Sequence, residues 1–260
     1  MNYYNEYDQK TAAWLRELIK RGILPNGDVD TRSITEVRPF DLTGYNQCHF
    51  FAGIGGWSYA LQLAGWPADK PVWTGSCPCQ PFSTAGKGLA QDDERHLWPV
   101  FFNLIRQCRP EYVFGEQVAS AIGHGWLDGV SADLEAEGYA CGATVLGAHS
   151  KAAPHVRERI FWVADANSKC HFGEKRPEVR RESSIPSIWE SAKIFETGQG
   201  GVDELVARCV TQRVSSYTNA HALLHGIPAR MVRLRGYGNA IVPQVAAEFI
   251  KAFTECVNKV

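Results

Sequence analysis

The sequence predicts an α/β fold around a mostly parallel sheet, and three observations support that class. Short apolar runs alternate with segments of helical periodicity, as in βαβ units. The 260 residues suffice for one α/β core with a small appended lobe. Hydrophobic residues at 45% and charged residues at 21% are globular values, and no apolar run approaches the ~20 residues of a membrane helix. We therefore expect neither a membrane-spanning nor a disordered chain.

Six apolar runs are predicted as strands, at residues 2–4, 47–51, 72–75, 112–115, 140–146 and 159–164. The first helix is predicted to be capped by Asp8 and to end at Gly22, a residue suited to a left-handed C′ position. Further helices are predicted at 57–64 and 97–108, and a last one over the periodic apolar positions of 245–256.

Residues 166–219 differ from the rest of the chain because their periodicity fades into a polar stretch rich in Ser, Pro and Gly. We interpret this stretch as a small second lobe or a long functional insertion. The main domain then comprises residues 1–165, and residues 220–260 return to complete it with a helix.

Charge and cysteine content indicate which binding partners and which cellular compartment to expect. Lys and Arg number 27 against 28 Asp and Glu, so net charge alone does not favour a polyanion partner, although local clusters still could. Eight dispersed cysteines indicate reduced thiols rather than a disulfide framework. The polar residues Glu6, Asp8 and Lys10 leave no room for an apolar signal region, which predicts a cytoplasmic protein.

Chemically informative residues follow three of the predicted strands. A glycine-rich turn at 53–56 follows the strand at 47–51, and a Cys-Pro-Cys segment at 77–79 follows the strand at 72–75. Glu116 follows the strand at 112–115. Ligands of open parallel sheets bind beyond the carboxyl ends of the strands, so a thiol and a carboxylate meet at one edge. A glycine-rich turn by itself is equally compatible with an ordinary tight turn.

Cys77 and Cys79 suggest a metal pair, but a C-x-C pair with only His96 nearby is an incomplete zinc site, and we expect no metal. We interpret Cys77 as a buried, inert thiol. Cys79 lies in a Pro-flanked loop at the ligand edge, where a thiolate can be stabilised as a nucleophile.

An ordered set of motifs resembles the DNA cytosine-5 methyltransferases. The set comprises Phe51, Ala52, Gly53, Ile54, Gly55 and Gly56; Pro78, Cys79, Gln80, Pro81, Phe82 and Ser83; Asp93, Glu94 and Arg95; Arg109 and Pro110; Glu116 and Val118; Pro154, His155, Val156, Arg157, Glu158 and Arg159; and Gly238, Asn239, Ala240 and Ile241. It covers most of 47–165 and 226–255, and its Pro-Cys-Gln loop is highly specific. The chain is similar to small phage or prophage members of this family.

The resemblance implies a Rossmann-like sheet that binds S-adenosylmethionine, and it assigns catalytic roles. Cys79 adds to C6 of a cytosine, Glu116 engages N3, and Arg157 and Arg159 surround the base and its phosphate. C5 is a poor nucleophile until C6 is attacked and N3 is protonated. A stacked base cannot enter such a pocket, so base flipping is expected. The expected partner is double-stranded DNA, and the protein is expected to be a monomer without membrane association.

One departure from the family predicts a circular permutation. Only 22 residues separate Gly56 from Cys79, too few for the two cofactor-binding segments that the family places there. Similar segments, Asn5-Glu6-Tyr7-Asp8 and Gly27-Asp28-Val29-Asp30, precede the glycine turn instead. Glu6 is then expected to bind the ribose hydroxyls, Tyr7 to stack on adenine and Asp28 to face its amino group. Without the resemblance, Asp8 is only an N-cap and Asp28 only a turn residue. The full set of implied cofactor residues is Phe51, Ala52, Gly53, Ile54, Gly55, Gly56, Glu6, Tyr7, Asp28, Val29, Pro78 and Asn239.

Two basic clusters are candidates for phosphate contacts, although runs of charged residues usually form solvated faces. One consists of Arg230, Arg233 and Arg235, and the other of Lys151, Arg157 and Arg159. The implied DNA-binding residues are Gln80, Ser83, Lys151, Arg230, Arg233 and Arg235, with Arg157 and Arg159 beside Lys151. Residues 166–219 are then a target-recognition region.

His49 stands where the family has Asp, His155 where it has Gln, and Gln117 where it has Asn. We interpret both histidines as partly buried and hydrogen-bonded. Gln117 either folds back onto the backbone, with ordinary methyl transfer, or reaches the donor pocket and favours a modified, for example carboxylated, S-adenosylmethionine. An RNA cytosine-5 methyltransferase and a non-catalytic DNA-binding remnant are the alternatives to DNA methylation.

Overall fold

The computed structural model describes residues 1–78, 97–151, 157–167 and 241–258, which contain one seven-stranded sheet with helices on both faces. The strands are β1 (Asn2–Asn5), β2 (Gly27–Asp30), β3 (Gln47–Phe50), β4 (Val72–Gly75), β5 (Tyr112–Val118), β6 (Ala140–Gly147) and β7 (Glu158–Asp165). The α-helices are α1 (Gln9–Lys20), α2 (Gly56–Ala64), α3 (Trp98–Cys108), α4 (Trp126–Ala136) and α5 (Pro243–Val257). Short 3-10 helices occupy Ile34–Glu36, Pro39–Leu42, Ala119–His124 and Ala148–Lys151.

The strands lie in the order β2-β1-β3-β4-β5-β7-β6. The first five strands in this order pair in parallel, and β7 pairs antiparallel with both β5 and β6. The predicted α/β class and mostly parallel sheet are therefore confirmed. All five parallel strands end at the same edge, which brings the residues that follow them together.

Alternating side chains of the strands form a separate core on each face of the sheet. On one face, Trp73 and Val113 pack with α3 and α4. On the other, Val72 and Phe114 pack with α2 and α5. Because both faces are covered, the central strands are apolar on both sides, which explains their near-continuous hydrophobic runs.

Helix α1 matches its prediction at both ends. Asp8 caps it by accepting a hydrogen bond from the Thr11 backbone N–H, and Gly22 follows the helix at a φ of +69°. The left-handed conformation is one that glycine adopts without steric strain.

Three elements differ from the prediction. Strand β2 was not among the predicted strands, so Asp28 lies in a strand and not in a turn. Strand β5 continues to Val118 instead of ending at residue 115, because β7 supplies backbone partners as far as Arg159 opposite Val118. Helix α4 was not predicted, although its buried residues Trp126, Val130 and Leu134 have helical spacing. Within the ranges that the structure describes, no helix combines the length and hydropathy needed to span a bilayer.

Candidate active site

The backbone conformation and the close packing of the turn after β3 explain why it is rich in glycine. Phe51, Gly53 and Gly55 all have positive φ, at 52°, 57° and 80°. A Cβ added to Gly55 would lie 2.3 Å from Cδ1 of Leu24, so the turn has neither the backbone conformation nor the space for a larger residue there. Helix α2 starts directly after this turn and directs its first backbone N–H groups toward the strand edge.

The end of β1 lies against the same turn. Strands β1 and β3 are parallel with Asn5 opposite Phe50, and the Ala52 N–H donates to the Asn5 carbonyl at 2.9 Å. The Glu6 carboxylate accepts hydrogen bonds from the Gly53 N–H at 2.7 Å and the Asp8 N–H at 2.9 Å. Burial raises the pKa of Glu6, and these two hydrogen bonds oppose that rise. The structure thus brings Glu6 to the glycine turn despite the 46 residues between Glu6 and Gly53.

The other predicted cofactor residues of this half lie at different distances from this edge: Tyr7 is at the edge, whereas Asp28 is opposite Tyr3, two residues before the end of β2. The ring of Tyr7 is 73% exposed and follows Glu6 directly. Asp28, in β2, has an exposed carboxylate that accepts a hydrogen bond from the Tyr45 hydroxyl at 2.6 Å. Val29 packs into the small cluster beneath the turn with Tyr4.

Glu116 is the buried acid at the end of the neighbouring strand. It lies in β5 two residues before Val118, which is opposite Arg159 of β7, so Glu116 and Arg159 are diagonal neighbours on one face. Arg159 Nε lies 2.8 Å from Glu116 Oε1, and Glu116 is only 8% exposed. Burial raises the pKa of Glu116, while Arg159, Arg157 and a hydrogen bond from Ser76 act against the rise. The carboxyl group therefore takes up a proton more readily than an exposed glutamate.

Ser76 is a neighbour of the acid that the sequence analysis missed. It follows Gly75, which is opposite Gly115 in the β4 and β5 pairing, so Ser76 and Glu116 leave adjacent strands side by side. The Trp57 indole N–H donates to the Ser76 hydroxyl at 3.0 Å. The signal was present in the sequence, since pairing the apolar runs at 72–75 and 112–115 already aligns these two residues.

Gln117 is folded back onto the backbone. Its side chain is buried, its carbonyl accepts a hydrogen bond from the Val118 N–H at 3.0 Å, and its amide donates to the Cys77 carbonyl at 3.4 Å. This is the arrangement expected for the first of the two predicted outcomes. The Cys77 side chain is buried as predicted, and burial raises the pKa of its thiol, so thiolate formation is disfavoured.

His49 is fully buried rather than partly buried as predicted. Its Nδ1 lies 2.9 Å from the Thr74 hydroxyl and its ring stacks on Tyr4 with centroids 5.0 Å apart. Burial lowers its pKa to about 3, which keeps the imidazole neutral at physiological pH. In this interior position, the ring contributes packing between β1, β3 and β4.

The predicted basic cluster of Lys151, Arg157 and Arg159 is not one solvated patch. The charges of both arginines act to lower the pKa of Glu116. Lys151 Nζ lies 3.3 Å from Glu248 Oε1 on α5. A phosphate contact by Lys151 therefore competes with an existing ion pair.

Several predicted residues lie outside the described part of the chain. They are Cys79, Gln80, Ser83, His155, Arg230, Arg233, Arg235 and Asn239, together with residues 168–219 of the predicted lobe. Pro78 is described, with an exposed side chain directly before Cys79. Ile241, two residues after Asn239, has its Cγ1 2.9 Å from the position of a Cβ on Gly56, so the returning chain passes beside the glycine turn.

A family model described as C-5 cytosine-specific DNA methylase matches residues 66–222. Type II methyltransferase M.HhaI of Haemophilus parahaemolyticus is 27% identical over 173 residues, which cover 51% of this chain and 52% of that protein. Type II methyltransferase M.NgoMIV of Neisseria gonorrhoeae is 31% identical over 111 residues, covering 42% of this chain and 35% of that protein. The chain thus spans about half or less of the length of these relatives.

The crystal structure of S. pombe Dnmt2 methyltransferase is similar to this fold. Its TM-score is 0.50 at 14% identity, with 99% of each chain covered. At this identity the likeness concerns the fold alone, and it agrees with the seven-stranded α/β sheet.

Proposed function

Because the chain belongs to the C-5 cytosine-specific DNA methylase family, we propose that it transfers a methyl group from S-adenosylmethionine to C5 of a cytosine flipped out of double-stranded DNA. The observation that carries this proposal is the buried carboxyl group of Glu116. It is paired with Arg159, and Ser76, three residues before Cys79, hydrogen-bonds to it. This arrangement supplies an acid beside the segment that holds the predicted nucleophile.

Glu116 protonates N3 of the cytosine. Burial favours its neutral form, which is able to donate a proton, and the nearby Arg159 and Arg157 stabilise the carboxylate that remains. The opposing effects let one carboxyl group give up a proton and take it back during a catalytic cycle.

Cys79 is the nucleophile in this scheme. Its thiolate forms a bond to C6 while N3 is protonated, and the electron pair of the C5–C6 double bond moves to give an enamine that is nucleophilic at C5. When bound, S-adenosylmethionine would supply the electrophilic methyl group and leave as S-adenosylhomocysteine. Transfer of the C5 proton to water then restores the double bond and expels the Cys79 thiolate.

The residues around the glycine turn fit S-adenosylmethionine. Each Glu6 oxygen accepts one backbone N–H and retains a lone pair for a ribose hydroxyl. The exposed ring of Tyr7 is available for stacking on adenine, and the exposed Asp28 carboxylate for its amino group. The close approach that the glycines allow is what a bulky ligand needs. The remaining cofactor contacts in the proposal are Phe51, Ala52, Ile54, Gly55, Gly56, Val29, Pro78 and Asn239.

In this proposal the first half of the sheet is circularly permuted. The strand order supports it. Strands β1 and β2 precede the glycine turn in sequence but lie outside β3 in the sheet, with β1 directly beside it. The family match covers residues 66–222 and leaves out β1, β2 and the glycine turn, so it does not conflict with this order.

DNA recognition is assigned to residues 166–219, and residues 220–260 return to the catalytic domain. Gln80, Ser83, Arg230, Arg233 and Arg235 are the proposed DNA contacts, with Lys151 available once its pair with Glu248 opens.

The nucleophile is tested with duplex DNA containing 5-fluorocytosine. Fluorine at C5 blocks the proton loss that releases the enzyme, so a complex that survives denaturation should accumulate when S-adenosylmethionine is present. Cys79→Ser should form no adduct. The matched control is Cys77→Ser, whose buried thiol is not the proposed nucleophile, and it should still form one. An adduct that persists in Cys79→Ser would contradict the assignment.

The substrate is tested by comparing methyl incorporation into duplex DNA and into RNA. Incorporation into DNA, with modified cytosines mapped by bisulfite sequencing, is the expected result. Methylation of RNA alone would move the activity to RNA, and no transfer to either would favour a non-catalytic DNA-binding protein.

A further inference from the structure

We propose that Ser76 is a positioning residue for the acid Glu116 and that the indole of Trp57 fixes its orientation. The catalytic meaning of this inference rests on the proposed function, because it concerns the acid of that reaction. The contacts themselves do not depend on the reaction. They form a chain of hydrogen bonds from α2, across the tip of β4, to β5.

Trp57 is held rigidly by the strands that carry the acid and its arginine. It is the second residue of α2, directly after the glycine turn, and it is 5% exposed. Its ring stacks on Phe114 of β5, with centroids 6.1 Å apart and planes at 27°, and contacts Phe161 of β7 edge to face at 6.1 Å. The indole N–H therefore has a fixed direction relative to β5 and β7.

The direction of the hydrogen bonds follows from the donors and acceptors available. An indole N–H only donates, so Trp57 occupies a lone pair of the Ser76 hydroxyl at 3.0 Å. Ser76 and Glu116 leave the adjacent strands β4 and β5 side by side, and the charged form of Glu116 only accepts, so the single hydroxyl proton of Ser76 is directed at Glu116. Trp57 thus orients Ser76, and Ser76 donates to the acid.

Two donors from different strands then restrict the carboxyl group. Arg159 reaches it from β7 at 2.8 Å and Ser76 reaches it from the end of β4. Together they limit rotation of the carboxyl group and stabilise its charged form against burial. The consequence for chemistry is that Ser76 sets how readily Glu116 releases its proton.

A structural role for Ser76, in which it only satisfies the Trp57 N–H, makes a different prediction. Loss of the hydroxyl would then lower the melting temperature and leave the acid unchanged. The discriminating measurement is the protonation constant of Glu116, obtained by NMR titration of protein labelled with ¹³C at the glutamate carboxyl carbons. The Glu116 signal is assigned by its absence in Glu116→Gln.

Ser76→Ala should raise the protonation constant of Glu116 about tenfold, the size expected for one hydrogen bond to a charged group. Ser76→Thr, which keeps a hydroxyl, should leave the constant near the wild-type value. Trp57→Phe should raise it less, and should add nothing when Ser76→Ala is already present, because its effect passes through the hydroxyl. The matched control is Ser58→Ala. It removes a buried hydroxyl of α2, the helix that carries Trp57, and this hydroxyl contacts Tyr4 and not Glu116.

An unchanged constant in Ser76→Ala, or an effect of Trp57→Phe that is the same with and without the Ser76 hydroxyl, would overturn the proposal. Should Ser76→Ala not fold, the contrast between Trp57→Phe and Ser76→Thr carries the test. The titration needs no turnover, so a wild-type protein that methylates neither DNA nor RNA would contradict the proposed function while the Ser76 result stands. In an active protein, the pH profile of kcat/KM should move in the same direction as the titration.

Discussion

Glu6→Ala tests the proposed cofactor site and the permutation together. The substitution removes the acceptor of two backbone hydrogen bonds, from Gly53 at 2.7 Å and from Asp8 at 2.9 Å. Hydrogen bonds to a charged group contribute ~1.5–3 kcal/mol each, and partial exposure of Glu6 places these near the lower end. These two bonds exist with and without ligand, so their loss lowers the stability of the turn. Loss of the acceptor for the ribose hydroxyls is expected to weaken binding of S-adenosylmethionine by ~1–3 kcal/mol, which is about 5-fold to 150-fold in Kd.

The assay is isothermal titration calorimetry of S-adenosylmethionine with the full chain. Glu6→Gln should bind with intermediate affinity, because its amide has one carbonyl acceptor where the carboxylate has two. The control is Glu17→Ala, which removes an exposed carboxylate of α1 that pairs with Arg21. Since burial raises the pKa of Glu6, wild-type binding should weaken as the pH falls through that raised pKa, and Glu6→Gln should lack this dependence. Wild-type affinity in Glu6→Ala would refute the reasoning.

Three further predictions concern the acid, the lobe and the transferred group. Burial raises the pKa of Glu116 in the folded chain. Above that raised pKa the charged carboxylate lowers the free energy of unfolding, and this destabilisation is lost as the pH falls and the folded chain takes up the proton. Glu116→Gln should be inactive, and its unfolding free energy in urea should rise relative to wild type from acidic to neutral pH; a difference independent of pH would contradict this. Replacing residues 166–219 by the lobe of a relative should change the methylated sequence more than the rate, and a chimera that keeps its original site would exclude a recognition role. Because both polar atoms of Gln117 are bound to backbone groups, mass spectrometry of nucleosides should find 5-methylcytosine, and a heavier cytosine adduct when a carboxylated donor is supplied would show that this amide turns toward the donor.

Local patterns in the sequence were sufficient for most of the elements. Apolar runs and caps predicted six of the strands and the ends of α1, because hydrophobic periodicity and capping are properties of neighbouring residues. The pattern also predicted which residues follow the strands. It did not predict that β5 runs on to Val118, since that extension depends on pairing with β7, about 40 residues later in the chain.

The sequence by itself determined the chemistry available at the strand edge: a carboxylate at Glu116, a glycine turn after β3 and acidic residues ahead of it. Only the tertiary structure decided which of these groups meet. Parallel pairing of β1 with β3 brings Glu6 to Gly53, and the antiparallel return of β7 places Arg159 on Glu116. The hydrogen bond from Trp57 to Ser76 depends on how α2 packs against β5 and β7. The physical reason is that burial and pairing are set by residues distant in sequence, and these two effects determine whether a glutamate holds or releases its proton.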